Sequence, residues 1–176
     1  MDQPTFIVTA RLDAESAAFL TSLRARYFPP DRNFLDAHVT LFHKLTASGL
    51  DVLDRAVVEA DPRPIGARLA SPYSLGRGVA IRVESGGLVA LRGRLADRLH
   101  ADLSAQDRQR YAPHATIQNK VTAGEAGRCL AEVREGWSAR AARFEGIDLW
   151  EYLGGPWKHQ ALLPFRDGSP GVGQSS

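Results

Sequence analysis

Apolar and polar residues alternate strictly at the start of the chain. In "TFIVTARL", residues 5 to 12, Phe6, Val8, Ala10 and Leu12 fall on one side, as in a half-buried strand. A change of period follows. From an Asp13 cap, Phe19, Leu20, Leu23 and Tyr27 share one helical face, and "FPP" ends the helix. Alternation returns in "DAHVTLFHKLTA", residues 36 to 47, with Val39 and Leu41 on one side and His38, Thr40 and Phe42 on the other. Ser48 and Asp51 have the spacing of a capping pair, and Leu50, Leu53 and Val57 give the stripe of a second helix. Strands are predicted at about 64 to 73 and 78 to 84, and a long helix over about 87 to 103 with Leu88, Leu91, Leu95, Leu99 and Leu103 on one side.

The pattern then repeats. "YAPHATIQNKVTA", residues 111 to 123, aligns with the earlier motif strand so that His38 meets His114, Thr40 meets Thr116, Lys44 meets Lys120 and Thr46 meets Thr122. Thr122 and Glu125 form a capping box ahead of the stripe Ala126, Leu130, Val133 and Trp137. Two more strands are expected at about 140 to 150 and 157 to 165, and the turns "SLGRG" and "YLGGP" correspond. Each half reads as helix, motif strand, helix and hairpin, which makes the fold class α+β: a bilobal, pseudo-two-fold duplicated unit of antiparallel sheets flanked by helices. Helices cover one face of such sheets and leave the other open. Val39, Leu41, Ala115 and Ile117 suit the covered face, so His38, Thr40, His114 and Thr116 face a shared central cleft. Residues 1–168 are expected to form one bilobal domain, with 169–176 a disordered tail.

Composition adjusts this picture at a few points. No apolar run approaches the roughly 18 residues of a membrane span, and the N-terminus lacks a signal-like pattern, so a cytoplasmic protein without a membrane partner is expected. The single cysteine, Cys129, lies in a helical stripe as a packed thiol, which leaves no internal disulfide. A net charge of +2 and a pI near 8.9 fit a small anion or an RNA end and not a DNA duplex. The chain is expected to act as a monomer.

Two histidines and two hydroxyls facing one cleft suit phosphodiester chemistry. One histidine takes a proton from the nucleophile, the other gives one to the leaving oxygen, and the threonines hydrogen-bond the non-bridging oxygens. A metal site built from His38, His43, His114 and His159 is disfavoured, because His38 and His43 are an odd number of residues apart and would point oppositely along a continuous strand. No metal and no cofactor are expected. No nucleophile elbow of the "GxSxG" kind is present.

"HVTL" and "HATI" resemble the paired signature of the two-histidine phosphoesterase superfamily, which contains the 2′-5′ RNA ligase-like proteins and the RNA 2′,3′-cyclic phosphodiesterases. The resemblance covers roughly residues 5 to 166. It implies a bilobal fold with both motifs in a central cleft, His38 as proton donor, His114 as proton acceptor, and Thr40 and Thr116 holding the phosphate. Pseudo-symmetry leaves the two histidine roles interchangeable in the sequence itself. The implied activity is hydrolysis, without metal, of a cyclic or 2′-5′ phosphodiester on an RNA end or small nucleotide, with reverse ligation as a side activity. A binding module using the same cleft is the alternative. Around the motifs, Arg82 and its loose counterpart Lys158 are candidate phosphate contacts. Phe42 and Gln118, two residues beyond the threonines, are candidates for a base pocket, with core packing the preferred reading for Phe42; Tyr111 and Trp157 either stack on a base or fill the lobe edges.

Overall fold

A computed structural model describes residues 2–167. Seven strands and four α-helices follow one another as β1 (Phe6–Leu12), α1 (Ala14–Tyr27), β2 (Val39–Leu45), α2 (Ala47–Ala60), β3 (Ile65–Ser74), β4 (Val79–Glu84), α3 (Gly86–Leu99), β5 (His114–Gln118), α4 (Ala123–Glu135), β6 (Arg140–Tyr152) and β7 (Trp157–Pro164). The predicted element types are all present. Three boundaries differ, one of them at α4, which ends at Glu135 so that Trp137 packs from beyond the helix. Helix α2 is capped by Thr46, whose side chain accepts from the Gly49 N–H, and Ser48 serves only as a hydroxyl neighbour of that cap. Thr46 is extended, as a cap requires, whereas Ser48 is already helical. Helix α3 stops at Leu99, where a short 3-10 turn over His100–Asp102 leads into a loop, so Leu103 packs from outside the helix.

Every strand pairing is antiparallel, in the order β1-β2-β5-β4-β3-β6-β7 with an added β1–β6 pairing that closes the first six strands into a ring. The register exposes the repeat. Thr9 pairs with Thr40 as Ala80 pairs with Thr116, and Val8 with Phe42 as Val79 with Gln118. Strand β4 is therefore the equivalent of β1, and the repeated unit is βαβαβ: β1 to β3, then β4 to β6. Relative to the sequence reading, the repeat starts one strand earlier, the β3–β4 hairpin joins the two units, and β7 is an extra strand without a counterpart. Equivalent residues meet on the pseudo-two-fold axis at Val39 with Ala115 and at Ala67 with Ala142. The glycines of the two matching turns, Gly76 and Gly154, have φ of +86° and +87°, a conformation that needs no Cβ in the way.

The core lies between sheet and helices. Val8, Val39, Leu41, Phe42, Leu53, Ile81, Leu88, Leu91, Leu95, Ala115, Ile117 and Phe144 are fully or almost fully buried, and they come from both units. Helix α1 of the first unit packs on β5 of the second, so the units share one core and neither closes alone. Cys129 is buried in α4, and burial pushes its thiol up to about 11, consistent with a packed, unreactive group. No helix among the described residues is long and apolar enough to cross a membrane. The tail expected at 169–176 lies outside the described residues.

Candidate active site

Strands β2 and β5 touch through a single register pair, Val39 with Ala115, and diverge on either side of it. Side chains flanking that pair point away from the core. His38, Thr40, His114 and Thr116 consequently line one hollow of about 590 Å³, together with Thr5, His43, Lys44, Asn119 and Trp157. The sequence expectation that both motifs share a cleft corresponds to this arrangement.

The two histidines are held alike. His38 Nδ1 lies 2.9 Å from the Asp36 carbonyl oxygen, and His114 Nδ1 lies 2.9 Å from the Ala112 carbonyl oxygen. A carbonyl only accepts, so Nδ1 carries the proton in both rings and Nε2 is left for the cleft. Each backbone turn before the strand thus fixes the tautomer that proton transfer at Nε2 requires.

Their surroundings differ. The Trp157 ring, on the extra strand β7 that has no counterpart in the repeat, sits 4.7 Å from the His38 ring, and Trp150 stands behind it at 6.1 Å from Trp157. Burial pulls His38 down to about 4, against the hydrogen bond to the Asp36 carbonyl and with the positive charge of Arg24 adding to it, so the free protein holds it neutral at pH 7. His114 instead faces Tyr73 edge-on at 6.4 Å. The Arg82 guanidinium lies 4.6 Å above the Tyr73 ring.

A bulge in each motif strand sets the direction of the residues beyond the threonine. Between Thr40 and Phe42, and again between Thr116 and Gln118, the strand carries one more residue than its partner. Alternation slips there, so Leu41 and Phe42 are both buried, as are Ile117 and Gln118. Phe42 packs under the Arg92 guanidinium, and Gln118 has a buried Oε1 without a partner among the described residues. Neither lines the cleft, in contrast to the base-pocket expectation. The same slip turns His43 back to the cleft face, so the odd separation of His38 and His43 does not put them on opposite sides. Among the described residues, no three His, Cys, Asp or Glu side chains come together as metal ligands would.

The arginine and lysine candidates separate as well. Register pairs Arg82 with His114, which places it on the cleft side at the rim, beside a hollow lined by Arg110, Tyr111 and Pro113. Its equivalent under the pseudo-two-fold axis is Arg11, which is committed to Asp148 by hydrogen bonds of 2.9 and 2.7 Å. Lys158 has no such relation. On β7, Trp157 and His159 contact cleft-side rings, and Lys158 between them is exposed on the opposite face.

Two buried arginines escaped the sequence reading. From α1, Arg24 donates to the Thr116 carbonyl at 3.1 Å and to Asn33 Oδ1 at 2.9 Å, and burial pulls its guanidinium down to about 10. From α3, Arg92 donates to the carbonyls of Leu41 at 3.2 Å and Asp107 at 2.6 Å. Tyr111, a stacking candidate, donates its hydroxyl to the Thr40 carbonyl at 3.0 Å. Each helix therefore pins the motif strand of the other unit. Their signal was positional, since Arg24 follows Leu20 and Arg92 follows Leu88 by one helical turn on the apolar stripe.

No curated protein matches the chain in sequence. Among solved structures, TT0787 of Thermus thermophilus superposes with a TM-score of 0.64 at 15% identity, covering 94% of this chain and 100% of that one. E. coli LigT complexed with 3′-AMP gives 0.61 at 16%, covering 92% and 99%. Kluyveromyces marxianus Usb1 with uridine monophosphate gives 0.51 at 8%, covering 92% and 96%. At these identities the likeness is one of fold, the same α+β ring with its helices. The family model described as the 2′-5′ RNA ligase superfamily matches residues 12–156, a span that contains both histidine-threonine motifs, and the chain belongs to that superfamily.

Proposed function

We propose that the protein is a phosphodiesterase that hydrolyses a cyclic or 2′-5′ phosphodiester on an RNA end or small nucleotide, with His38 and His114 as the acid-base pair. The observation that carries this reading is the mirrored pair of imidazoles, each with Nδ1 committed to the carbonyl two residues back and Nε2 left for one cleft that also presents Thr40 and Thr116. Family membership supports it, as does the fold shared with proteins solved with 3′-AMP and uridine monophosphate.

With a 2′,3′-cyclic phosphate between the rings, Nε2 of one histidine takes a proton from water as the water oxygen bonds to phosphorus. The opposite P–O bond breaks, and its ribose oxygen receives the proton of the other Nε2. The threonine hydroxyls donate to the non-bridging oxygens as charge builds there. All of this chemistry resides in side chains of the two motifs. In the free protein His38 is neutral at pH 7. A phosphate anion beside it restores the charged form that donation requires. With His38 beside the 3′ oxygen, the role implied by the family resemblance, the 3′ bond breaks and the product is a 2′-phosphate.

The test is incubation with 2′,3′-cyclic mononucleotides, short RNAs ending in a cyclic phosphate and 2′-5′ linked dinucleotides, with and without chelator. Turnover that survives chelator is expected, with phosphorus NMR showing only the 2′-phosphate from a cyclic end. Binding without turnover would make the cleft a recognition module. A pure 3′-phosphate would reverse the acid and the base, and a mixture would mean that the substrate orientation is not fixed.

A further inference from the structure

His43 has no part in the acid-base pair, yet it is built into the cleft with more support than either member of it. Its Nδ1 lies 2.8 Å from Oδ1 of Asp107, a residue only 1% exposed. That carboxylate also accepts from the backbone N–H groups of His43 and Lys44 at 2.9 to 3.1 Å and from the Ser104 hydroxyl at 3.1 Å. Such donors hold Asp107 below the usual carboxylate range. An ionised carboxylate only accepts, so Nδ1 donates and Nε2 is the ring nitrogen left for solvent. The ring lines the main hollow and also a second one of about 280 Å³, reached past Thr40 and His114 and lined by Gln106, Gln109 and Arg110.

The pseudo-symmetry gives this position its meaning. The histidines and threonines of the motifs flank the axis and converge on one group. His43 lies three residues beyond Thr40, on the order of 7–10 Å along the strand. That is farther than one phosphate reaches and about the span of a ribose between its 5′ and 3′ phosphates. Its equivalent across the axis is Asn119, which carries no charge. Lys44 lines the main hollow beside it and Arg110 the second one, and neither has a carboxylate partner among the described residues. Asp107 is the one carboxylate among the described residues lining the two hollows, and its oxygens are occupied by the donors above.

We infer that His43, flanked by Lys44 and Arg110, forms a second phosphate subsite, and that the preferred ligand carries one phosphate group beyond the one held between the two motifs. With Nδ1 held by Asp107, Nε2 is the ring nitrogen that meets a phosphate oxygen, and the Lys44 ammonium beside it supplies the fixed positive charge. The inference rests on the nucleotide reading of the cleft and extends it. A 5′-phosphate on a mononucleotide and the next internucleotide phosphate of an RNA end supply the same group.

Calorimetric binding of a nucleoside 2′-monophosphate, the matching 2′,5′-bisphosphate, and a dinucleotide ending in a 2′-phosphate tests this without turnover. At least one ligand with the additional phosphate should bind the wild type about 10-fold or more tighter than the monophosphate, a difference of about 1.4 kcal/mol. His43→Asn, which installs the residue of the mirror position, should shrink that ratio to within about 3-fold, and Lys44→Gln, on an exposed side chain, should shrink it in part. If the bisphosphate alone gains, the group is a 5′-phosphate; if the dinucleotide alone gains, it is the internucleotide phosphate. Equal binding of all three by the wild type overturns the subsite, and so does a ratio that both variants leave intact. Absence of hydrolysis with these ratios preserved would sink the phosphodiesterase reading and leave the subsite standing.

Discussion

The two walls of the cleft share a backbone plan and differ in what stands behind it. Both put a histidine two residues after the carbonyl that holds its Nδ1, both continue with a threonine and a bulge, and both are pinned by a buried arginine from the other unit. On the first wall, Trp157 shields His38, and Asp107 backs His43. On the second, His114 meets only the edge of Tyr73, and Asn119 stands where His43 would be. Duplication supplies two equivalent imidazoles, and what is added to one copy makes them unequal. Under the proposed function, a substrate with distinguishable ends needs that inequality.

The comparison breaks most severely if either histidine is removed. His38→Ala and His114→Ala should each lower kcat by at least about 10²-fold on whichever cyclic substrate is turned over. If one variant keeps near-wild-type turnover, the walls do not act as a pair. The pH profile of kcat/KM should be bell-shaped, because one histidine must be protonated while the other is neutral. With His38 as the donor, its removal should abolish the fall in activity at high pH and leave the rise at low pH, which His114 sets.

The arginine anchors come next. Arg24→Ala and Arg92→Ala each strand buried acceptors in the opposite motif strand, at a cost of about 1–3 kcal/mol per lost group. Urea unfolding should show comparable losses for both, as expected if the walls are held alike. A large loss from one and none from the other would show that a single wall carries the scaffold.

Trp157→Ala sharpens the difference between the walls and leaves their shared plan intact. With the indole gone, water reaches the His38 ring, and its proton affinity should rise from about 4 toward the ordinary 6.5, read from the imidazole resonances in an NMR titration. No movement would mean that the shielding comes from elsewhere.

The smallest effect concerns stability and pH. Because folding lowers the proton affinity of His38, the unfolded chain binds more protons than the folded one between about 6.5 and 4, so stability falls as pH drops through that window. His38→Asn should flatten this part of the curve of unfolding free energy against pH. A curve of unchanged slope would show that His38 is well solvated.

The sequence by itself determined the parts that depend on neighbours a few residues apart. Strand alternation in Phe6 to Leu12, the Asp13 cap, the Thr122–Glu125 capping box and the leucine stripe of α3 are local patterns, and the duplicated histidine-threonine pair pointed to four residues that line one cleft. Only the tertiary structure decided where alternation slips. The bulges after Thr40 and Thr116 are defined by partner strands more than 30 residues away, and they bury Phe42 and Gln118 while returning His43 to the cleft. The same holds for the equivalence of Arg82 with Arg11, for Trp157 against His38, and for Asp107 behind His43, 64 residues along the chain. A period of 2 or 3.6 states which face a residue takes relative to its own element. It carries no information about which distant element will cover that face, and the proton affinity of His38 and the carboxylate behind His43 depend on that cover.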